Sequence, residues 1–509
     1  MGLSQHRHTK YTDDDTSSNS SVSLTLTEQS PLLSYKSTEN ASYKEEFQWM
    51  LVNSLPIIGT YLLQSSFQMA SIFTLGHLGP LELGASALGS MFATVSAWSI
   101  TYGTSTALDT LCSQAWTGAR DKTLLGIHLQ RALLVLAILF IPISITWWNA
   151  TRLLIFVNQD PDLAALAGLF LRYLLIGAPA YISFEAIKKF CQAQGIMEAS
   201  TYALFVTSPI NLGLNYLFVY CRPFQLGFIG APLATSCSYW LMLCFLLIYI
   251  YYCRGYEAWG GWTRECLRDW WPFLRLAIPG ILMVCTEWWA FELAALAASY
   301  LGTIDLAAQS ILLTLVSATY TIPFGIAVAA ANRVGNALGE GHGQKAYRAS
   351  IVTLLYAVIF GALNSLFFIV GRTWLGYLFT SDKPVIDAVA NILPLLSLFQ
   401  IADGLCGVCG GVIRGLGRQN IAACINLFAY YLVALPAGFL LTFRATWGLQ
   451  GIWSSLSLAL FLAAIGECGF LFHIDWHREA KNTRQRIRKE EQFYVHTESD
   501  PDTDSTVEV

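Results

Sequence analysis

From about residue 49 to residue 474 the chain alternates long apolar stretches with short polar ones. An apolar run of about 18 residues or more predicts a helix that crosses a bilayer. Twelve such spans can be read, at 49–72, 84–105, 124–147, 163–184, 199–220, 229–252, 272–299, 306–330, 348–372, 389–413, 420–443 and 449–474. Hydrocarbon offers no water to backbone groups, so the pattern predicts an all-α polytopic membrane protein. Several spans contain a proline (Pro56, Pro142, Pro179, Pro209, Pro279, Pro323, Pro394 and Pro436), which frees a carbonyl and kinks the helix.

The polar flanks read differently. Residues 1–48 are Ser/Thr-rich, include Asp13, Asp14 and Asp15, show no secretory signal, and are expected to form a disordered cytosolic tail. Residues 475–509 read as a charged cytosolic tail, and 253–271, with Gly255, Gly260 and Gly261, as a cytosolic linker between lobes at 49–252 and 272–474. The tails and the loops on their side, with Arg275 and Arg348 at the adjoining span ends, carry 23 of the 30 basic residues. The opposite loops carry Arg152, Arg222, Arg372, Lys383 and Arg444, and only Arg131 and Arg172 lie deep in spans. This bias places both termini in the cytosol. Asn149-Ala-Thr151 then falls on the far side as a glycosylation sequon in a short loop, where an unused sequon is expected.

Composition agrees. Charged residues make up 13% of the chain, where a soluble protein carries about a quarter. The net charge of −4 and the lack of a basic patch argue against a nucleic-acid partner. Cys406 and Cys409 form a lone CxxC within an apolar span, which suits packed core residues better than a zinc or redox site.

The halves repeat at an offset of 221–223 residues. Pro56 matches Pro279, Leu78-Gly79 matches Leu301-Gly302, and Leu83 matches Leu306. Gly103 matches Gly325, Gly195 matches Gly417, and Gly227 with Gly230 matches Gly448 with Gly451. Six spans per half make the repeat parallel, about an axis along the membrane normal. Two such lobes suit alternating access around a site between them.

Acids inside spans mark candidate chemistry. Glu287 and Glu292 lie in the seventh span, in Glu287-Trp-Trp-Ala-Phe-Glu292, and Asp403 in the tenth. An acid at mid-bilayer costs roughly 2.5–3.5 kcal/mol on insertion scales, so it is kept where it meets a cavity, a partner charge or an ion path. Five residues turn a helix by about 140°, so Glu287 and Glu292 point to different sides. Asp403 precedes Gly404, Gly407, Gly410 and Gly411, a run that permits close helix approach or bending. Structural acids, neutral and hydrogen-bonded or paired with an arginine, are the alternative for all three. Asp109, Glu185 and Glu467 stand near the ends of their spans or within the twelfth. The repeat aligns Glu287 with Gln64, Glu292 with Met69 and Asp403 with Tyr181. Proton or cation handling is therefore expected in the C-terminal lobe, with Gln64, Ser65, Ser66 and Ser71 giving only neutral contacts across the cavity. Trp288 and Trp289 beside the acids suit an organic cation, through charge and ring-face attraction, or simply pack. Thr314 and Gln192 are further cavity candidates.

At these residues the chain resembles the multidrug and toxic compound extrusion (MATE) family, its eukaryotic branch in particular. The matching pieces are LGPLELGASALG at 78–89, ALDTLCSQAWTGA at 107–119, FCQAQG at 190–195, EWWAFE at 287–292, NRVGNALGEG at 332–341 and GGVIRGLGRQN at 410–420. The resemblance implies two six-helix bundles in a V and efflux of small organic compounds against protons or sodium, with no cofactor. It makes Glu287, Glu292 and Asp403 the coupling acids, and Asp109 and Arg333 gating elements. Prokaryotic relatives often hold an aspartate where Ser71 stands, and animal relatives a glutamate near Thr314; both absences favour protons over sodium. Glu28-Gln-Ser-Pro-Leu32-Leu33 resembles an acidic dileucine signal for a sorting adaptor, which with the long tails suggests a fungal protein of the vacuolar or plasma membrane, acting as a monomer. A lipid-precursor flippase of the same superfamily would want a cationic cavity. A membrane-embedded enzyme would want clustered histidines, and His77, His128 and His342 are scattered.

Overall fold

The computed structural model describes residues 43–222 and 225–498, so Glu28, Leu32, Leu33 and the Asp13–Asp15 run lie outside the described residues. Every expected span forms a helix. The first half comprises α1 (Tyr43–Gly76), α2 (Pro80–Gly118), α3 (Leu124–Trp148), α4 (Pro161–Ala193), α5 (Ala199–Tyr220) and α6 (Gly230–Tyr252). The second comprises α7 (Trp271–Ser299), α8 (Thr303–Gly339), α9 (Gly343–Val370), α10 (Lys383–Leu416), α11 (Gln419–Arg444) and α12 (Leu449–His473). Eleven are long and apolar enough to cross a membrane; α1, diluted by Gln64, Ser65, Ser66 and Gln68, takes the place of the twelfth. Wide π-helical turns interrupt α2 at Thr94–Trp98 and α11 at Leu427–Ala434 and Leu440–Arg444.

Several helices run past their apolar windows, which corrects the assignment of basic residues. Lys188 and Lys189, expected in a loop, are fully buried in the last turns of α4, and Arg414 is buried in α10. A cation in such a place is tolerated when it is paired. Lys188 lies 2.7 Å from Glu185, Lys189 2.9 Å from Asp109, and Arg414 3.5 Å from Asp109.

The repeat glycines do matching work. Gly195 and Gly417, just after α4 and α10, both take the left-handed conformation (φ +81° and +76°), where a side chain is strained. Gly103 of α2 meets Ile281 of α7 so closely that a Cβ would lie 2.5 Å from the Ile281 Cα. Its equivalent, Gly325 of α8, meets Ile58 of α1, the equivalent of Ile281, with a Cβ 2.5 Å from the Ile58 side chain. One pseudo-twofold thus relates both close crossings between the lobes.

The lobes join along these crossings and at the end where the tails emerge. There Thr110 Oγ1 donates to Arg414 O (2.5 Å), Gln114 Nε2 to Gly415 O (2.8 Å) and Thr117 Oγ1 to Asn336 O (2.7 Å). Toward the other end, Trp289 Nε1 still reaches Val95 O at 3.1 Å. Beyond it, Leu293, Leu296 and Tyr300 of α7 are exposed. The charged C-terminal segment forms, over its described part, α13 (Trp476–Glu498), which returns across the joined end. Asp475 caps it, accepting from the His477 and Arg478 amides at 3.1 Å each. Trp476, Ala480, Thr483 and Ile487 form its buried stripe, at helical spacing.

Candidate functional site

In the C-terminal lobe α7, α8, α10, α11 and α12 bring together Glu287, Tyr320, Asp403, Tyr430 and Glu467. Glu287 is half-buried. Asp403, Glu467 and Tyr430 lie within reach of the Glu287 charge, and the Arg414 guanidinium lies within reach of Glu287 and Glu467. Asp403 and Glu467 are buried; Asp403 Oδ2 and both Glu467 carboxyl oxygens have no hydrogen-bond partner. The glycine run after Asp403 makes the packing possible. Gly407 lies against Tyr320, with a Cβ position 3.1 Å from its hydroxyl, and Gly411 and Gly415 press on the backbone of Ala327 and Ala331 in α8. Glu292 stands apart, half-buried one and a half turns further along α7, as its spacing from Glu287 requires.

The N-terminal lobe is not purely neutral, which corrects the reading of its polar residues. Gln64 Nε2 donates to Glu185 Oε1 at 3.1 Å, and the same oxygen accepts from Lys188 at 2.7 Å. Lys188 lies 4.5 Å from the centroid of the Tyr61 ring. Glu185, expected at the end of its helix, is two turns inside it. The Gln64–Tyr181 pair therefore occupies the place that Glu287 and Asp403 hold in the other half, with an ion pair next to it.

Between the lobes Trp288 stacks on Tyr102 (ring centroids 5.9 Å apart), which also meets Phe324 at 5.3 Å. Trp289 bridges to Val95 and Ser99 of the opposite lobe. Arg333 clasps Glu46 of α1 with two hydrogen bonds, 2.8 and 2.6 Å, and lies over Trp49 at 4.6 Å. Asp109 carries Lys189 from its own lobe and Arg414 from the other. Both residues expected to gate thus make ion pairs across the seam.

Three cavity candidates lie elsewhere. Ser71 is buried against Thr235 at 3.2 Å and Asn215 at 3.4 Å within its lobe. Gln192 is buried near the joined end of α4 with an unpartnered amide. Thr314 is exposed and donates to Ser310 O of its own helix at 2.8 Å. Residues missed from the sequence are Tyr320, Arg414, Lys188 and Lys189, together with the full weight of Glu467. Only the Glu185–Lys188 pair had a legible signal, its i,i+3 spacing. Cys409 faces Cys468 at 3.3 Å and not Cys406, and no group of three or more metal-type ligands occurs among the described residues.

Two six-helix lobes related by a parallel repeat, with Glu287, Asp403 and Glu467 grouped in the C-terminal one, define a membrane transporter of the two-lobed kind. The chain belongs to the MATE family: the MatE family model matches residues 56–217 and 279–440, one copy per lobe, starting at the paired prolines. The chain is 39% identical to "Uncharacterized transporter C4B3.13" of Schizosaccharomyces pombe, over 91% of this chain and 85% of that one. It is 35% identical to human "Multidrug and toxin extrusion protein 1", over 87% and 78%. A crystal structure of the eukaryotic MATE transporter AtDTX14 superposes with a TM-score of 0.81 at 29% identity, covering 87% of this chain and 99% of that one.

Proposed function

We propose that this protein is a secondary active antiporter that exports small organic compounds, organic cations foremost, in exchange for protons by alternating access. The observation that carries the reading is the group of acids set in one lobe, Glu287, Asp403 and Glu467, of which Asp403 Oδ2 and both Glu467 carboxyl oxygens have no hydrogen-bond partner. A buried carboxyl is stable with a proton or beside a cation, and one carboxylate cannot hold both. Competition at Glu287 then links proton entry to cation release. Each unit of pH gradient supplies about 1.36 kcal/mol per proton. The stacked rings of Trp288 and Tyr102 support a flat or cationic substrate.

The Lys/Arg bias supports a cytosolic assignment for the joined end, so that the described arrangement is closed to the cytosol. Glu292 is assigned a supporting role in cation entry, and Asp109 and Arg333 are assigned the seam that must part for loading. No cofactor enters this scheme, which is transport and not catalysis. A vacuolar or plasma membrane and a monomeric transporter complete the proposal.

Proteoliposomes with an imposed pH gradient and a fluorescent organic cation test it. Wild type is expected to accumulate the dye against the gradient, and Glu287→Gln to lose at least 90% of that uptake. Full pH-driven uptake in the mutant would sink the role of Glu287; uptake driven by a sodium gradient alone would replace the proton.

A further inference from the structure

The two ends of α13 belong to different lobes. Its first half rests on the C-terminal lobe, to which it is joined through only Ile474 and Asp475. Trp476 packs on Tyr347 (ring centroids 6.1 Å apart), Glu479 accepts from Arg418 at 2.7 Å, and Arg484 donates to Glu340 O. Within one turn the partners change lobe. Arg486 donates to the side chain of Gln114, the residue whose amide already spans the seam to Gly415. The Ile487 side chain is buried in the core that contains Leu108, Leu111 and Phe190, against Gly118. Glu490 lies 3.7 Å from His128 and 4.0 Å from Arg131. Glu491 accepts from the Arg120 amide, and Tyr494 from Arg131 at 2.5 Å.

The charge pattern of the helix follows the same logic. Glu479, Glu490 and Glu491 turn toward the protein together with Arg484 and Arg486, which reach Glu340 and Gln114, whereas Arg478, Lys481, Arg488 and Lys489 make no such contact and are exposed. A helix that was only a solvated extension would have no reason to sort its charges in this way. A helix that docks in two places would.

We propose that α13 is a cross-lobe clasp. Anchored on the C-terminal lobe at Trp476, Glu479 and Arg484, it holds the N-terminal lobe at Arg486, Ile487, Glu490, Glu491 and Tyr494. It thereby stabilises the arrangement in which the seam between α2 and α8 is shut. Rigid rocking of the lobes apart at this end pulls residues 486–494 off their sites, so the seam opens only when this half lets go. The consequence for transport rests on the alternating-access reading above. The clasp itself does not, because it is read from seam opening whether or not any compound is carried.

Hydrogen–deuterium exchange on the full-length protein in nanodiscs tests it. The peptides to follow are 107–118 and 332–341, which form the seam, and 486–494. Glu490→Lys with Glu491→Lys sets cations against Arg131 and His128. It is expected to speed exchange at least threefold in 486–494 and in both seam peptides. Arg488→Glu with Lys489→Glu, on the exposed side, is expected to leave both seam peptides as in wild type. A chain ending at Gln485 removes the N-terminal-lobe contacts outright and is expected to match the Glu490→Lys, Glu491→Lys variant at the seam. Wild-type exchange of the seam peptides in this shortened chain, with an unchanged gel-filtration profile, would overturn the clasp. So would faster exchange confined to α13 in the charge variant.

Discussion

Lys189 and Asp109 form a fully buried ion pair, Nζ 2.9 Å from Oδ1, that ties α4 to α2 within one lobe while Arg414 approaches the same carboxylate from the other. One anion thus serves two cations and two lobes. Breaking a buried pair by removing one partner costs about 3–5 kcal/mol, because it strands a charge. Asp109→Asn strands two cations and Lys189→Met leaves Asp109 with Arg414. The expected order of thermal midpoints, by fluorescence-detected gel filtration, is wild type above Lys189→Met above Asp109→Asn. The reverse order would show that Arg414 does not share the carboxylate.

Asp403 and Glu467 share the fate of Glu287 if the acids act as one group. Asp403→Asn and Glu467→Gln keep shape and remove the ionisable proton. Each is expected to lower proton-driven uptake at least tenfold at an unchanged elution volume. A Glu467→Gln protein that transports as wild type would reduce Glu467 to a packing residue.

Gly103 and Gly325 offer a test of the pseudo-symmetry. A methyl group at either meets the opposing helix at 2.5 Å, too near for ordinary contact, so the lobes must separate locally. Gly103→Ala and Gly325→Ala are expected to fold, to speed hydrogen exchange in 107–118, and to slow transport by similar factors. A large effect at one position and none at the other would argue that only one crossing bears on closure.

Glu340, outside the membrane, contributes to the pH dependence of stability. Burial alone would push the Glu340 carboxyl up, but Lys345 at 2.7 Å and His342 at 3.2 Å hold it below its ordinary value. A depressed carboxyl stabilises the fold fully above its unfolded pKa, about 4.3, and loses that contribution as the pH falls through its folded value. The difference in thermal midpoint between wild type and Glu340→Gln is therefore expected at pH 6–7 and expected to shrink steadily as the pH falls below about 4.3. A difference that persists unchanged in acid would assign the effect to packing.

Much of the fold was legible because hydrocarbon imposes a simple rule on sequence: apolar runs of a given length become helices. The helix ends were not. Lys188, Lys189 and Arg414 look like loop residues by charge, and only their partners on other helices make burial tolerable. The same holds for α13, whose polar sequence resembles a tail until its partners on two lobes are seen.

The sequence by itself determined the class of protein, the twelve spans, the parallel repeat and the asymmetry that puts Glu287, Glu292 and Asp403 in one half. These follow from local periodicity and from which residues sit at matching positions. Only the tertiary structure decided which acids meet. It joined Glu287 to Asp403 and Glu467 and left Glu292 aside, gave Glu185 a lysine and Gln64, and drew Asp109 and Arg333 into the seam. Charge pairing acts over a few ångströms across helices far apart in sequence, and a one-dimensional pattern does not carry that distance.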